Sequence, residues 1–466
     1  MTGIRSIAFI VPIGLFLAAC APMGPDHETP SVSLPASFSS GPVKWKKTTP
    51  DSQPRPREWW KLFKDTELNS LVARALSRNQ EIKAADARVK EARAMSAMAR
   101  ARYFPAVDMG VEADRSRFRF RGPGGGSNTL NSYSIPIDLR YEVDVWGKVR
   151  RQVEGATASE QASEELLNAL RLSIAAETAQ TYWALRAVDA DRAVLARTLE
   201  VRTRAFDLLT KRRDAGTISG LDLARAETEL ASAEADRLQL DQTRAELVNA
   251  LAVLCGTTAT GARIGEISTL PAPPSVPVSI PSEVLRQRPD VRAAERNVAA
   301  ANAQIGVATA AYFPTISINA SSGFDSLTVN NLFEASSMVW SIGASALTPL
   351  TNLRFLQSQR RATVAAHEAA SADYRQTVLE SIREVENALQ AAAVLQQRQA
   401  AQDKAVTAAR KTFDLSVKRF NAGLVSFLDV VDAERTRLDA ERAANAIRGE
   451  RLAVAVSLAK AVGGEW

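Results

Sequence analysis

Residues 411–438 read KTFDLSVKRFNAGLVSFLDVVDAERTRL, and residues 204–230, RAFDLLTKRRDAGTISGLDLARAETEL, repeat them without a gap. At the one separation that sets Ala215 against Ala422, Phe206, Asp207, Leu208, Lys211, Arg212 and Gly216 recur as Phe413, Asp414, Leu415, Lys418, Arg419 and Gly423. Ser219, Leu221, Asp222, Ala226 and Glu227 likewise recur as Ser426, Leu428, Asp429, Ala433 and Glu434. An internal repeat of this kind governs architecture. Each copy has the chemistry of a helical hairpin tip. Lys and Arg in a last turn followed by glycine end one helix, and a serine before a fresh apolar run caps the next. Gly216 and Gly423 are the expected turn residues, Ser219 and Ser426 the expected N-caps. Beyond the first cap, Ala226, Leu230, Ala233, Leu240, Leu247, Leu251 and Leu254 step by threes, fours and sevens, a coiled-coil seam interrupted by Arg237 and Arg244.

Outward from the tips, uninterrupted Ala-, Leu- and Glu-rich helical pattern runs from Lys148 to Gly216 and from Leu353 to Gly423. Either run, at ~1.5 Å per residue, makes about 100 Å of helix. Further upstream a second repeated stretch ends in ARYFPAV around Tyr103-Phe104-Pro105 and ATAAYFPTI around Tyr312-Phe313-Pro314. The helix entering each must stop before its proline, and the first of them breaks near Asn79.

After each YFP the period changes to two. Val107, Met109, Val111 and Ala113 alternate with Asp108, Gly110, Glu112 and Asp114. Past a Gly-rich loop, Tyr133, Ile135, Ile137, Leu139, Tyr141, Val143 and Val145 alternate with Ser134, Pro136, Asp138, Arg140, Glu142 and Asp144. The second half repeats this with Ile316, Ile318, Ala320, Trp340, Ile342 and Ala344 against Ser317, Asn319, Ser321, Ser341, Gly343 and Ser345. Each half thus supplies one long hairpin, at 106–145 and 315–347. A soluble amphipathic sheet has this pattern too, but strands of about ten residues match the span of a tilted membrane strand. Tyr133, Tyr141 and Trp340 on the apolar face suit an interfacial girdle. Pro136 lacks a donor, which predicts a bulge or a sheet edge there.

The chain begins MTGIRSIAFIVPIGLFLAAC, with Arg5, an apolar core and small residues before Cys20. This is a secretory signal, too short for a stable membrane-spanning helix. Leu17-Ala18-Ala19-Cys20 has the form of a bacterial lipobox, which predicts a signal peptide over 1–19 and a lipidated Cys20; alanine at position 21 favours outer-membrane sorting. Residues 20–57, rich in Pro, Ser and Thr, read as an extended tether. The first repeat then occupies 58–256 with its tip at 214–220, a Pro-rich crossover occupies 257–281, and the second repeat occupies 282–466 with its tip at 421–427. Cys255, the other cysteine, falls on the apolar seam at a helix end, the place of a buried structural thiol.

Basic and acidic residues number 58 and 52 without a basic block, which leaves a nucleic-acid role unsupported. The two histidines, His27 in the tether and His367 on an Ala-rich helix, form neither a triad nor a metal-ligand spacing, and no cofactor motif is present. An enzyme is therefore the weaker reading, and a periplasmic coiled-coil scaffold leaves four alternating strands unexplained.

GPDHETP after Cys20, EWWKLFKDTELNSLVARALSRNQEI, ARYFPAV, YEVDVWGKVR, RQRPDVRAAERNVAAANAQIGVATAAYFPTI and both tips resemble TolC-type outer-membrane efflux factors of the lipoprotein, NodT- or OprM-like branch. The resemblance runs from Cys20 almost to Trp466; HETP departs from the usual aromatic at its position. It implies a mainly α fold with a transmembrane β-barrel. Each chain would carry two tandem repeats of helices plus a β-hairpin, and a homotrimer would form a twelve-stranded barrel on an α-helical coiled-coil tunnel. It also implies a periplasmic adaptor (membrane fusion) protein and an inner-membrane transporter, preferably proton-driven, as partners, with anchoring in outer-membrane lipid. An outer-membrane duct for type I protein secretion is the alternative within this fold. Strand counting agrees, because four strands cannot close and eight would enclose an interior filled by side chains.

The resemblance further implies that both tips dock the adaptor and that Leu428 and Asp432 form rings closing the periplasmic end, with Arg435 tying down a neighbouring acidic charge. These three share one helix face at i, i+4 and i+7, where the first tip has Leu221, Arg225 and Thr228. From the residues alone, Asp432 and Arg435 make an ordinary i, i+3 surface pair worth about 0.2–0.5 kcal/mol, and capping alone accounts for the serines.

Overall fold

Trp59–Phe63 makes a short 3-10 turn whose Trp59, Trp60 and Phe63 are buried. Asp65 then caps α1 (Thr66–Arg78), its Oδ1 accepting from the Glu67 and Leu68 N–H groups at 2.9 Å. Asn79 ends that helix and begins α2 (Gln80–Ala101): its Oδ1 accepts from the Glu81 and Ile82 amides, and its Nδ2 donates to the Leu254 carbonyl at 3.0 Å. A side chain that serves both helix ends is the physical form of the expected break. The computed structural model describes residues 22–34, 58–119, 126–260, 263–274 and 288–464. Cys20, the signal segment and residues 261–262 and 275–281 of the crossover lie outside these residues.

The chain continues through β1 (Ala106–Met109), β2 (Glu112–Arg119), β3 (Ser127–Val143), α3 (Lys148–Asp214), α4 (Gly220–Leu254), α5 (Pro289–Ala310), β4 (Thr315–Ser326), β5 (Met338–Leu347), α6 (Leu353–Asn421) and α7 (Phe427–Ala461). α3 and α6 span 67 and 69 residues. None of the described helices is long and apolar enough to cross a membrane. Two compact units emerge, and each draws on both sequence repeats. One gathers Arg88–Glu164 and Ala293–Arg375 with the described residues up to Ser31; the other gathers the remainder.

The first unit holds one antiparallel sheet in the order β1-β3-β4-β5, with β2 also paired to β3. Register sets like side chains beside one another in most cross-strand positions. Val107, Leu139, Ala320 and Ile342 align, as do Met109, Ile137, Ser322 and Trp340; the opposite face aligns Asp108, Asp138, Ser321 and Ser341. Directly opposed side chains share a face in antiparallel pairing, so the alternation in sequence becomes one apolar and one polar surface. Both outer strands keep an unpaired edge in the monomer, because among the described residues nothing pairs with the far sides of β1/β2 and β5.

Pro136 forms neither a bulge nor an edge. β3 is paired on both sides, and the register of Met109 with Ile137 continues unbroken into that of Glu112 with Ser134. The missing donor only interrupts the ladder: β1 and β2 are one expected strand divided where Pro136 offers no N–H, and the Gly110 amide still donates to the Pro136 carbonyl at 2.9 Å. On the other side Gly323 faces Pro136, and a Cβ there would stand 2.1 Å from the Ile135 oxygen, so only glycine lets the strands approach this closely.

The N-terminal segment also departs from expectation. Residues 22–31 are docked within the first unit rather than running as a free tether. The Met23 amide donates to Trp146 O at 3.0 Å, and buried Arg151 donates to the carbonyls of Met23 and Gly24 and pairs with Asp26 at 2.9 Å. Asn302 donates to Pro25 O, and His27 Nε2 lies 2.7 Å from Glu295 Oε1. Pro22, Pro25 and Pro30 lack the N–H donors a ladder needs, and side chains of α3 and α5 bind the carbonyls of Met23, Gly24 and Pro25 instead. Trp146 stacks on Phe313 of the second YFP at 4.9 Å and donates to Pro314 O, fixing the turn from sheet to α3.

In the second unit the Ala-rich seams bring helices together. Val194 and Leu195 of α3, Ala233 of α4 and Leu438 of α7 form one buried cluster; Val385, Ala388 and Leu389 of α6 meet Leu458 and Ala461 in another. Cys255 is buried with its thiol against Leu71 O at 3.6 Å, and burial raises its pKa. Of the two arginines interrupting the seam, Arg244 is put to use, donating to Asp189 and to Ile264 O at 2.8 Å each.

Candidate functional site at the helical tips

Both helical hairpins of the second unit turn in the same way. Gly216 and Gly423 adopt φ +70° and +72°, the left-handed conformation glycine alone takes without cost. Their amides donate to Arg213 O and Phe420 O, while the next amides, Thr217 and Leu424, reach back to Arg212 O and Arg419 O at 2.9 Å. This is the Schellman closure that the Lys/Arg-Gly pattern predicts. Ser219 then accepts from the Asp222 amide at 3.3 Å. At the second tip Asp429 accepts from both the amide and the hydroxyl of Ser426, at 2.8 and 2.7 Å; these hydrogen bonds hold its carboxyl below the usual range. The turns leave Leu221 and Leu424 60% and 67% exposed, unlike caps that merely bury a helix end.

Leu428, Asp432 and Arg435 lie together on one exposed face of α7, as their spacing requires, while Val431, Glu434 and Leu438 face inward and are buried. Arg435 does not pair with Asp432. Its guanidinium reaches Glu229 of α4, a buried carboxylate from the other repeat, which raises the arginine pKa. The i, i+3 surface pair is thus replaced by a link between the two hairpins.

A second link runs the opposite way. Arg202 of α3 is 6% exposed; it donates to Glu229 O at 2.6 Å and pairs with Glu229 Oε2 and with Glu434 Oε2 at 3.1 Å each. Each repeat therefore offers an arginine to a glutamate of the other: Arg202 to Glu434, and Arg435 to Glu229. Burial is the strongest influence on Glu434, and it prevails over Arg202 and Arg437 to push the carboxyl pKa up. Its Oε1 has no hydrogen-bond partner among the described residues. Beside it Arg437 stacks over Phe413 at 4.2 Å, and Phe413, Phe420, Phe427 and Val431 help line a cavity of about 280 Å³ that reaches Arg202 and Glu434.

Arg202, Glu229 and Glu434 are the residues that sequence reasoning missed as a group. The available signal was a break in the repeat: Arg202, Glu229 and Arg435 have Ala409, Thr436 and Thr228 at their matching positions, and of the four linked residues Glu434 alone recurs, as Glu227. Among the described residues no cluster of His, Cys, Asp and Glu could hold a metal ion.

Two long α-hairpins with Schellman tips, joined to an amphipathic sheet with open edges, define a class of outer-membrane channel, and comparison with known proteins agrees. The model of the family "Outer membrane efflux protein" matches residues 71–257 and 280–464. The chain belongs to this family. It is 28% identical, across 99% of its length and 96% of the relative's, to the probable efflux pump outer membrane protein TtgC of Pseudomonas putida. It is 30% identical to the pyoverdine export outer membrane protein OpmQ of Pseudomonas aeruginosa, covering 93% of this chain and 94% of that one. The outer-membrane channel OprN superposes with a TM-score of 0.87 at 30% identity over 95% of this chain and 98% of that structure. The protein is an outer-membrane efflux channel, mainly helical with a barrel-forming sheet.

Proposed function

We propose that three copies of the chain close one twelve-stranded barrel, continue it as a periplasmic helical tunnel, and conduct substrate passively in a tripartite assembly with a periplasmic adaptor and a proton-driven inner-membrane transporter. The open edges of β1/β2 and β5 support the trimer, since an amphipathic sheet with free edges and an apolar outer face is stable in lipid only when closed. Lipidation of Cys20 anchors each chain, and the docked residues 22–31 lead from that anchor to the helices. Gly216, Ser219, Gly423 and Ser426 shape exposed tips that the adaptor grips.

The observation that carries the reading is the reciprocal pairing of Arg202 with Glu434 and Arg435 with Glu229. It holds the second hairpin against the first and leaves Leu428 and Asp432 facing outward. Threefold symmetry then brings three Leu428 side chains and three Asp432 carboxylates towards one axis. The leucines exclude water, and the carboxylate ring favours cations over anions. Opening requires α7 to move from α4 and α3, so the ion pairs are the latch. The test is single-channel conductance in planar bilayers: L428A/D432A raises the resting conductance and admits normally excluded antibiotics in cells, whereas L221A/R225A does less. Equal and negligible effects of the two double substitutions would reject the gate.

A further inference from the structure

The apolar surface of the sheet does not run to the end of the β2–β3 hairpin. In register, Ala113 faces Tyr133, and the following positions on the same face are Arg115 opposite Asn131, Arg117 opposite Thr129 and Arg119 opposite Ser127. The parity is continuous from Val107 and Met109, so the three arginines project from the lipid side of the sheet, while Asp114 and Ser116 belong to the other face. All three are exposed. Arg117 donates to Ser127 Oγ at 2.6 Å, and among the described residues none of the three pairs with a carboxylate. Residues 120–126, between the two strands in sequence, include no acidic residue.

Their height matters. From Val143 to Tyr133 the apolar face of β3, at ~3.4 Å per residue, covers about 34 Å of strand, or about 26 Å of height at a tilt of ~40°, which is the hydrocarbon band of an outer-membrane barrel. The arginines begin one same-face step above Tyr133. They stand near the interface, where a lipid-facing arginine costs far less than at the midplane. β4 ends opposite Tyr133, so the arginine-bearing hairpin rises beyond it at the end of the sheet remote from the helices. With the helices periplasmic, as proposed above, that end lies at the outer leaflet.

We propose that Arg115, Arg117 and Arg119 form a binding site for the phosphate groups of the phosphorylated glycolipid that makes up the outer leaflet. Residues at i, i+2 and i+4 set guanidinium groups about 7 Å apart along the strand. Each guanidinium can chelate a phosphate through two parallel N–H donors, and the adjoining Asn131, Thr129 and Ser127 supply neutral hydrogen-bonding groups for sugar hydroxyls. Arginines placed only for solubility have no reason to occupy one face in succession while the opposite face keeps an aspartate.

The inference rests on the channel reading, and its test is separable from it. The full-length protein in nanodiscs is titrated with bis-phosphorylated lipid A and with its fully dephosphorylated form, and binding is followed by native mass spectrometry. Wild type binds the bis-phosphorylated lipid at least tenfold more tightly than the dephosphorylated one. R115Q/R117Q/R119Q loses that preference, R115K/R117K/R119K keeps most of it, and R354Q/R360Q/R361Q on α6 is unchanged. Planar-bilayer conductance of the glutamine variant stays that of wild type, so loss of conductance would count against the channel reading or the fold, not the lipid site. If the glutamine variant does not assemble, the wild-type preference is measured against rising salt and must collapse. Equal binding of the two lipids by wild type, an unchanged preference in the glutamine variant, or an equal loss in the α6 variant would each overturn the proposal.

Discussion

Replacing Arg202 with methionine keeps much of the length and apolar stem of the side chain and removes the one cation that serves both Glu229 and Glu434. Arg202 is 6% exposed, and its guanidinium makes three bonds, to Glu229 O at 2.6 Å and to the two carboxylates at 3.1 Å. Breaking a buried pair from one side costs about 3–5 kcal/mol, because the partner charge stays behind. Only the bond to Glu434 crosses from one hairpin to the other; a hydrogen bond to a charged group contributes about 1.5–3 kcal/mol. At ~1.4 kcal/mol per factor of ten, the closed-to-open ratio of the tips falls about 10- to 100-fold. Single-channel recording at pH 7.5 should show open probability rising by at least tenfold. The pH dependence has a fixed sign. Burial already raises the Glu434 pKa, and losing Arg202 raises it further, so the protonated form is the one the closed tip tolerates. The leak of R202M therefore diminishes as pH is lowered, and R202K restores much of the seal at neutral pH. An R202M trimer as tight as wild type at pH 7.5, or a leak indifferent to pH, would refute the latch.

Mass spectrometry of the purified protein should find Cys20 as a lipidated first residue, and a retained signal segment or free amine there would remove the anchor. A Cβ added at Gly423 meets no neighbour within 4 Å, but valine there must adopt φ +72°. It should cost about 1–2 kcal/mol locally and abolish export while gel mobility still reports trimers; unchanged export would make the tip a simple turn. Burial pushes the Asp290 carboxyl up, yet the bonds from Arg288 at 2.6 and 3.0 Å outweigh it and its pKa lies below the usual value. Its contribution to stability is present above the unfolded value near pH 4 and disappears as pH falls through the lower folded value. D290N should therefore show a shallower loss of thermal stability than wild type on acidification below pH 4, and parallel curves would show that the pair contributes nothing.

What could be read from the sequence was local. Lys418, Arg419, Gly423 and Ser426 specify a turn through bonds between near neighbours, and the spacing of Leu428, Asp432 and Arg435 fixes a helix face regardless of what packs behind it. The link between Arg202 and Glu434 was not legible because the two are 232 positions apart, and each sits among charges that any exposed helix would carry. The N-terminal segment was misjudged for the opposite reason. Its partners bind the carbonyls of Met23, Gly24 and Pro25, groups that every residue possesses and that no side-chain pattern advertises. Pro136 was read correctly as a lost donor, but its consequence depended on Gly323, a residue of the other repeat.

That pairing of Pro136 with Gly323 indexes the joint between two halves that otherwise look alike. Repeated strands with the same alternation can dock two residues out of step and still present apolar side chains to one surface. Sliding β4 by two positions would set Ser321 or Asp325 against Pro136, and at the spacing seen here a Cβ would run into the Ile135 carbonyl. The out-of-step dockings are therefore barred by collision at a single rung. In a barrel whose closure needs a fixed stagger, one notch between proline and glycine sets the alignment of the repeats before any neighbour arrives.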